Sequence, residues 1–232
     1  MNIFDFLRLA KNRSVRLAID ELGDFIRLDL LMRFDTSNRD ASNKRYIPSP
    51  SRAIRKAIHE IQILDPSYRK DVFIDCAAGK GKPCLIALES GFRNLVAVEY
   101  DATTFLILED NLNLAVGRFD QFHNVKILDD FLTFSRDLIK VPIDSYLTFW
   151  LFDLAEFLPS FFKRIGELCL NWRTTTAYVI VLSESNLPQI EGWTKKTTID
   201  LGYDQTRVVH IFALAENKNS TVFIREADQY EM

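Results

Sequence analysis

The stretch Asp75-Cys-Ala-Ala-Gly79-Lys-Gly81-Lys-Pro83 gathers the residue types that hold a small ligand by its backbone side. Small side chains let main chain approach a ligand closely, and Gly79 and Gly81 can take left-handed conformations closed to other residues. Pro83 suits the first turn of a helix, and free amides at a helix start bind carboxylate or phosphate. The same stretch also reads as a tight strand-to-helix turn without a ligand. Glu99 closes the apolar run Leu95-Val-Ala-Val-Glu99, where a carboxylate can accept from both hydroxyls of a ribose. Asp129-Asp130-Phe131 follows a third run and offers an acceptor and an apolar side for an adenine ring. Asp153 and Glu156 stand three residues apart after the run Tyr146–Phe152. Either can take or orient a proton, or the pair can cap the next helix as a capping box. Lys80 and Lys82 can contact a carboxylate or phosphate, or stand solvated in the loop.

These residues need a scaffold, and the hydrophobic pattern describes one. From Ser14 to Phe34, Leu17, Leu22, Phe25, Ile26 and Leu30 recur at helical steps. The polar segment Asp35–Asn43 and the prolines of Tyr46-Ile-Pro-Ser-Pro lead to a second amphipathic helix over Ser51–Leu64, with Ile54, Ile58 and Ile61 as its buried stripe. Strands are predicted at 72–76, 95–99, 125–128, 146–152 and 177–182, with helices over 83–90, 102–116 and from the fourth strand to about Leu170. Gly91 suits a helix cap. Two last strands are expected at 206–214 and 220–225, joined through Glu216–Asn219. Strands alternating with helices imply right-handed crossovers and a mainly parallel sheet. Ligands of such sheets bind beyond the carboxyl ends of the strands, where the polar residues above fall.

Composition narrows the function. At 232 residues, 47% hydrophobic and 26% charged, the chain is globular rather than disordered. Its 29 basic and 32 acidic residues leave a net charge of −3, without the basic excess that a nucleic-acid binder needs. Cys76, Cys84 and Cys169 form neither a disulfide framework nor a metal motif, and none of the three histidines lies at ligand spacing, so no metal is expected. The opening MNIFDFLRLAKNR carries Asp5 and Arg8 inside its apolar stretch and does not read as a secretory leader. No apolar run reaches the about 18 residues of a membrane span, so the expected compartment is cytoplasmic. Phe149, Trp150, Phe152, Phe157, Phe161 and Phe162 read as core.

With these motifs the sequence resembles the class I S-adenosylmethionine-dependent methyltransferases. The family's acidic residue and Gly-x-Gly-x-Gly are matched by Asp75-Cys-Ala-Ala-Gly79-Lys-Gly81, its second-strand acid by Glu99, and its third motif by Ile127-Leu-Asp-Asp-Phe131. The chain is most similar to bacterial members with a Gly-Lys-Gly turn and a Tyr-x-Pro segment upstream. The resemblance covers residues 46–232 and leaves residues 1–45 as a helical N-terminal extension or lid. It implies an α/β, Rossmann-like, seven-stranded, mainly parallel sheet with helices on both faces and an antiparallel closing hairpin. It also implies S-adenosylmethionine as cofactor. Asp75, Ala77, Ala78, Gly79 and Gly81 would hold its amino-acid part, and Glu99 its ribose. Tyr100, Asp130 and Phe131 would surround its adenine, with Tyr46 and Pro48 over the methionine part. Asp153 and Glu156 would face the incoming nucleophile. Two departures stand out: Ala77 replaces the first family glycine, and the Asn/Asp-Pro-Pro-Tyr motif of amide and adenine N-methyltransferases is absent.

The function implied is methyl transfer to an acceptor that the sequence does not identify, a protein side chain such as lysine or a small molecule. The alternative is a catalytically weak, methyltransferase-like binding or scaffold protein. A nicotinamide dehydrogenase fits less well, because its third glycine would fall on Cys84. Nothing in the sequence sets the oligomeric state.

Overall fold

A computed structural model describes residues 15–36, 49–119, 122–152, 157–174, 176–183, 187, 189–201 and 208–214. Seven strands form one sheet: β1 (Val72–Asp75), β2 (Asn94–Glu99), β3 (His123–Leu128), β4 (Leu147–Phe152), β5 (Ala177–Ser183), β6 (Trp193–Asp200) and β7 (Val208–Leu214). Their order is β3-β2-β1-β4-β5-β7-β6. The first five pair in parallel, and β7 runs antiparallel between β5 and β6. The chain leaves β1 toward β2 and β3 and then returns to place β4 on its other side. The crevice where ligands bind in such sheets therefore opens beyond the carboxyl ends of β1 and β4.

Helices cover both faces, as the alternation of elements requires. One face carries α1 (Val15–Asp24), α2 (Ser51–Leu64), α3 (Lys82–Glu89) and α4 (Ala102–Val116), and α5 (Leu158–Asn171) packs on the other. The helix α2 buries the expected stripe of Ile54, Ile58 and Ile61, each worth about 1.5–3 kcal/mol when removed from water. The helix α4 starts on Asp101, whose side chain accepts the Thr104 N–H at 2.8 Å, a cap worth about 1 kcal/mol. Phe149, Trp150, Phe161 and Phe162 are core, whereas Phe157 is mostly exposed.

Two expectations are corrected. The closing hairpin is β6–β7, built from Trp193–Asp200 and Val208–Leu214, whereas residues 220–225 lie outside the described residues. The segment Trp193-Thr-Lys-Lys-Thr-Thr-Ile-Asp200 hides its strand character because it is an edge with mostly exposed, polar side chains. The first helix does not run as α-helix to Phe34. It widens into a π-helical turn over Phe25–Leu31, with the Met32 amide donating to the Arg27 carbonyl and the Phe34 amide to the Leu28 carbonyl. Widening rotates the buried face: Leu28 and Phe34 join the core, while Ile26 and Leu30 point outward.

Candidate functional site

The strand β1 ends on Asp75, which is 1% exposed and has no hydrogen-bond partner on either carboxylate oxygen. Burial, with Glu99 nearby, pushes its pKa up to about 8. The Ala77 amide lies close enough to oppose this without meeting hydrogen-bond geometry. An unpartnered carboxyl group in the interior is expensive, and a cationic donor is what would satisfy it.

The turn after β1 is folded onto β2. The Ala78 amide donates to the Val98 carbonyl at 2.8 Å and the Gly81 amide to the Ala78 carbonyl at 2.8 Å. Gly79 and Gly81 both hold positive φ, 53° and 83°. A Cβ on Gly81 would stand 2.6 Å from Leu108 Cδ1, so this position has neither the backbone conformation nor the room for a side chain. Ala77 is exposed and has no left-handed φ, so its methyl does not distort the turn. Glu99, 6% exposed, closes the arrangement: its Oε2 accepts the Gly79 N–H at 2.7 Å and its Oε1 the Asp101 N–H at 2.9 Å. Burial raises its pKa, and those two amides hold the rise back. Each oxygen keeps a further lone pair with which to accept a hydroxyl.

The remaining candidates separate. Tyr100 is 67% exposed beside Glu99. Asp130 is exposed, and its Oδ1 accepts the Leu132 amide at 2.9 Å within its own loop. Phe131 turns into the core, stacked on Phe161 with ring centroids 5.2 Å apart. Tyr46, Pro48, Asp153 and Glu156 lie outside the described residues. Ser49, just after Pro48, is fixed: its Oγ accepts from Trp150 Nε1 of β4 at 3.1 Å.

Of the two readings of Lys80 and Lys82, contact with a carboxylate holds and solvation in the loop does not. They are 1% and 2% exposed. Lys80 Nζ lies 3.2 Å from Asp35 Oδ1, and Lys82 Nζ lies 3.3 Å from Asp24 Oδ2. Burial alone would raise the Asp24 pKa, yet Lys82, with help from Arg55, brings it below the usual range. Sequence spacing missed these partners, and it missed Asn111, a buried amide on α4 that touches both the turn and residue 35. A signal for Asn111 did exist: it lies between Leu108 and Leu112 on the buried face of α4, where a polar residue needs partners.

A groove of about 440 Å³ lies at the other end of the sheet, lined by Asp65, Tyr146, Tyr178 and Lys196 among others. It is remote from the glycine turn, because Tyr146 and Ala177 stand at the amino ends of β4 and β5. Among the described residues, no cluster of His, Cys, Asp and Glu is suited to a metal ion, and no helix is long and apolar enough to cross a membrane.

No family model matches the chain, and no curated protein matches its sequence. Solved structures do match its fold. The METTL16 methyltransferase domain superposes with a TM-score of 0.56 at 17% identity, over 88% of this chain and 81% of that one. A human methyltransferase 10 domain containing protein gives 0.54 at 16% identity, over 85% and 95%. The N-terminal domain of human METTL16 in complex with SAH gives 0.52 at 18% identity, over 85% and 81%.

Proposed function

We propose that this chain, which carries the fold of the class I methyltransferases, transfers a methyl group from S-adenosylmethionine to an acceptor. One observation carries the reading: a glycine turn lies between two buried carboxylates, and one of them, Asp75, has no partner of its own. That arrangement fits the cofactor's chemistry. The ammonium of its amino-acid part is the kind of donor Asp75 lacks, and the lone pairs left on Glu99 suit a ribose.

The bound sulfonium would supply the reactive methyl group, so the chain's own residues have to bind, orient and exclude water. Gly79 and Gly81 keep the turn free of side chains. Asp75 and Glu99 place two acids toward a cationic cofactor, with Tyr100 and Asp130 as the polar rim and Phe131 supporting it from the core. Asp153 and Glu156 are proposed to orient or accept the acceptor's proton, since in sequence they follow the carboxyl end of β4, beyond which ligands of such sheets bind. The acceptor is proposed to be a protein side chain such as lysine or a small molecule, because the chain carries no basic excess toward nucleic acid. Calorimetric titration with S-adenosylhomocysteine tests the reading. Saturable one-to-one binding that Glu99→Ala weakens supports it, and the absence of binding contradicts it.

A further inference from the structure

The two buried lysines of the glycine turn and Asn111 share one neighbour, the segment 24–36. Asn111 is 3% exposed. Its Nδ2 donates to the Lys80 carbonyl at 2.8 Å and to the Asp35 carbonyl at 2.9 Å, and its Oδ1 accepts the Asp35 amide at 2.8 Å. One carboxamide therefore joins the middle of the glycine turn to both backbone groups of residue 35. The charges repeat the link, Lys80 to Asp35 and Lys82 to Asp24. At the far end of α3, Arg27 pairs with Glu89, so both ends of that helix are tied to the same segment. Asp29 holds the segment's own bend by accepting the Thr36 amide and hydroxyl at 2.8 and 2.7 Å. Leu28 and Phe34 anchor it in the core.

We propose that Asn111 is a positioning residue that couples residues 24–36 to the glycine turn, so that this strap must be docked for the turn to hold its binding conformation. Asn111, Lys80 and Lys82 are buried while Asp35 is half-exposed, so the buried members depend on their links to the strap, and loosening one link weakens the others. By linkage, a ligand that needs the ordered turn must also tighten the strap. The coupling itself is a property of this chain alone. Its effect on affinity rests on the methyltransferase reading.

The test uses the full chain and two readouts. Amide hydrogen exchange at Gly79, Gly81, Phe34 and Asp35 is compared with that at Val179 in β5, without ligand, for the parent and Asn111→Ala. Exchange at the turn and the strap is expected to accelerate together, about tenfold, with Val179 unchanged. The second readout is S-adenosylhomocysteine affinity, expected to fall about tenfold in Asn111→Ala. Ile165→Val, on the opposite face, serves as a control for general destabilisation and should leave the affinity unchanged. Adding the ligand to the parent should slow exchange at Phe34 and Asp35. Turn amides that exchange at parental rates in Asn111→Ala overturn the coupling, and a loosened strap with unchanged affinity overturns the claim that the docked strap holds the turn's binding conformation. A parent that binds no S-adenosylhomocysteine contradicts the methyltransferase reading, while the exchange data still decide the coupling. If Asn111→Ala does not fold, Asp35→Asn replaces it. Faster exchange at Gly79 then supports the coupling, and an unchanged rate overturns it.

Discussion

The Glu99 carboxylate accepts the Gly79 amide at 2.7 Å. This bond joins the end of β2 to the turn that follows β1, and its second oxygen is fixed by the Asp101 amide that leads into α4. Glu99 is thus both part of the frame of the site and the acceptor proposed for the ribose. Glu99→Ala should abolish detectable binding of S-adenosylhomocysteine, since each charged hydrogen bond lost costs about 1.5–3 kcal/mol. It should also lower stability, because the buried Gly79 amide and the partly buried Asp101 amide lose their acceptor. Glu99→Gln keeps one of the two acceptors and sets its NH2 against the other amide, so it should recover only part of the melting temperature and little of the affinity. Calorimetry and thermal melts on the two variants check the split.

Asp75 sets a pH dependence. Its pKa is about 8 in the folded chain, against about 4 when unfolded. Between those values the folded chain keeps a proton that the unfolded chain has lost, so stability falls as pH rises through that window. Without ligand, the melting temperature should decline from about pH 5 to about pH 8, and Asp75→Asn should flatten that decline. Melts in a pH series give the answer, and an identical slope in the variant contradicts this origin.

The same group should release a proton when the cofactor binds. An ammonium brought to Asp75 favours its ionised form. At neutral pH the apparent binding heat should then vary with the ionisation enthalpy of the buffer, by up to about one proton per site. Heats that do not change between phosphate and Tris would remove Asp75 as the ammonium's partner.

Gly81→Ala should destabilise the turn. A left-handed φ costs a residue with a side chain about 1–2 kcal/mol, and the new methyl meets Leu108 at 2.6 Å. Ala77→Gly should leave affinity equal or tighter and cost about 0.4–1 kcal/mol of stability through the unfolded chain, because Ala77 is exposed with ordinary backbone geometry. Denaturant unfolding of both variants measures the contrast.

Much of this was legible in the sequence for local reasons. The turn Ala77–Gly81 announces itself because glycine is the residue that takes positive φ there, and α2 because Ile54, Ile58 and Ile61 keep one face. What was hidden depends on distant partners. Nothing near Lys80 or Lys82 shows that Asp35 and Asp24 neutralise them, so both look like ordinary solvated lysines. The strand β6 lacks an apolar alternation because it borders solvent, and Phe131 looks as ready for a ligand as for the core. The π-helical turn at Phe25–Leu31 displaces the buried face in a way no α-helical period shows.

The measurement closest to the central claim is calorimetric titration of the parent chain with S-adenosylhomocysteine, with Glu99→Ala in parallel. One saturable site on the parent, lost in Glu99→Ala while that variant still melts cooperatively, is the expected result. A parent that gives no binding heat in two buffers and no rise in melting temperature with the ligand would contradict the proposed function.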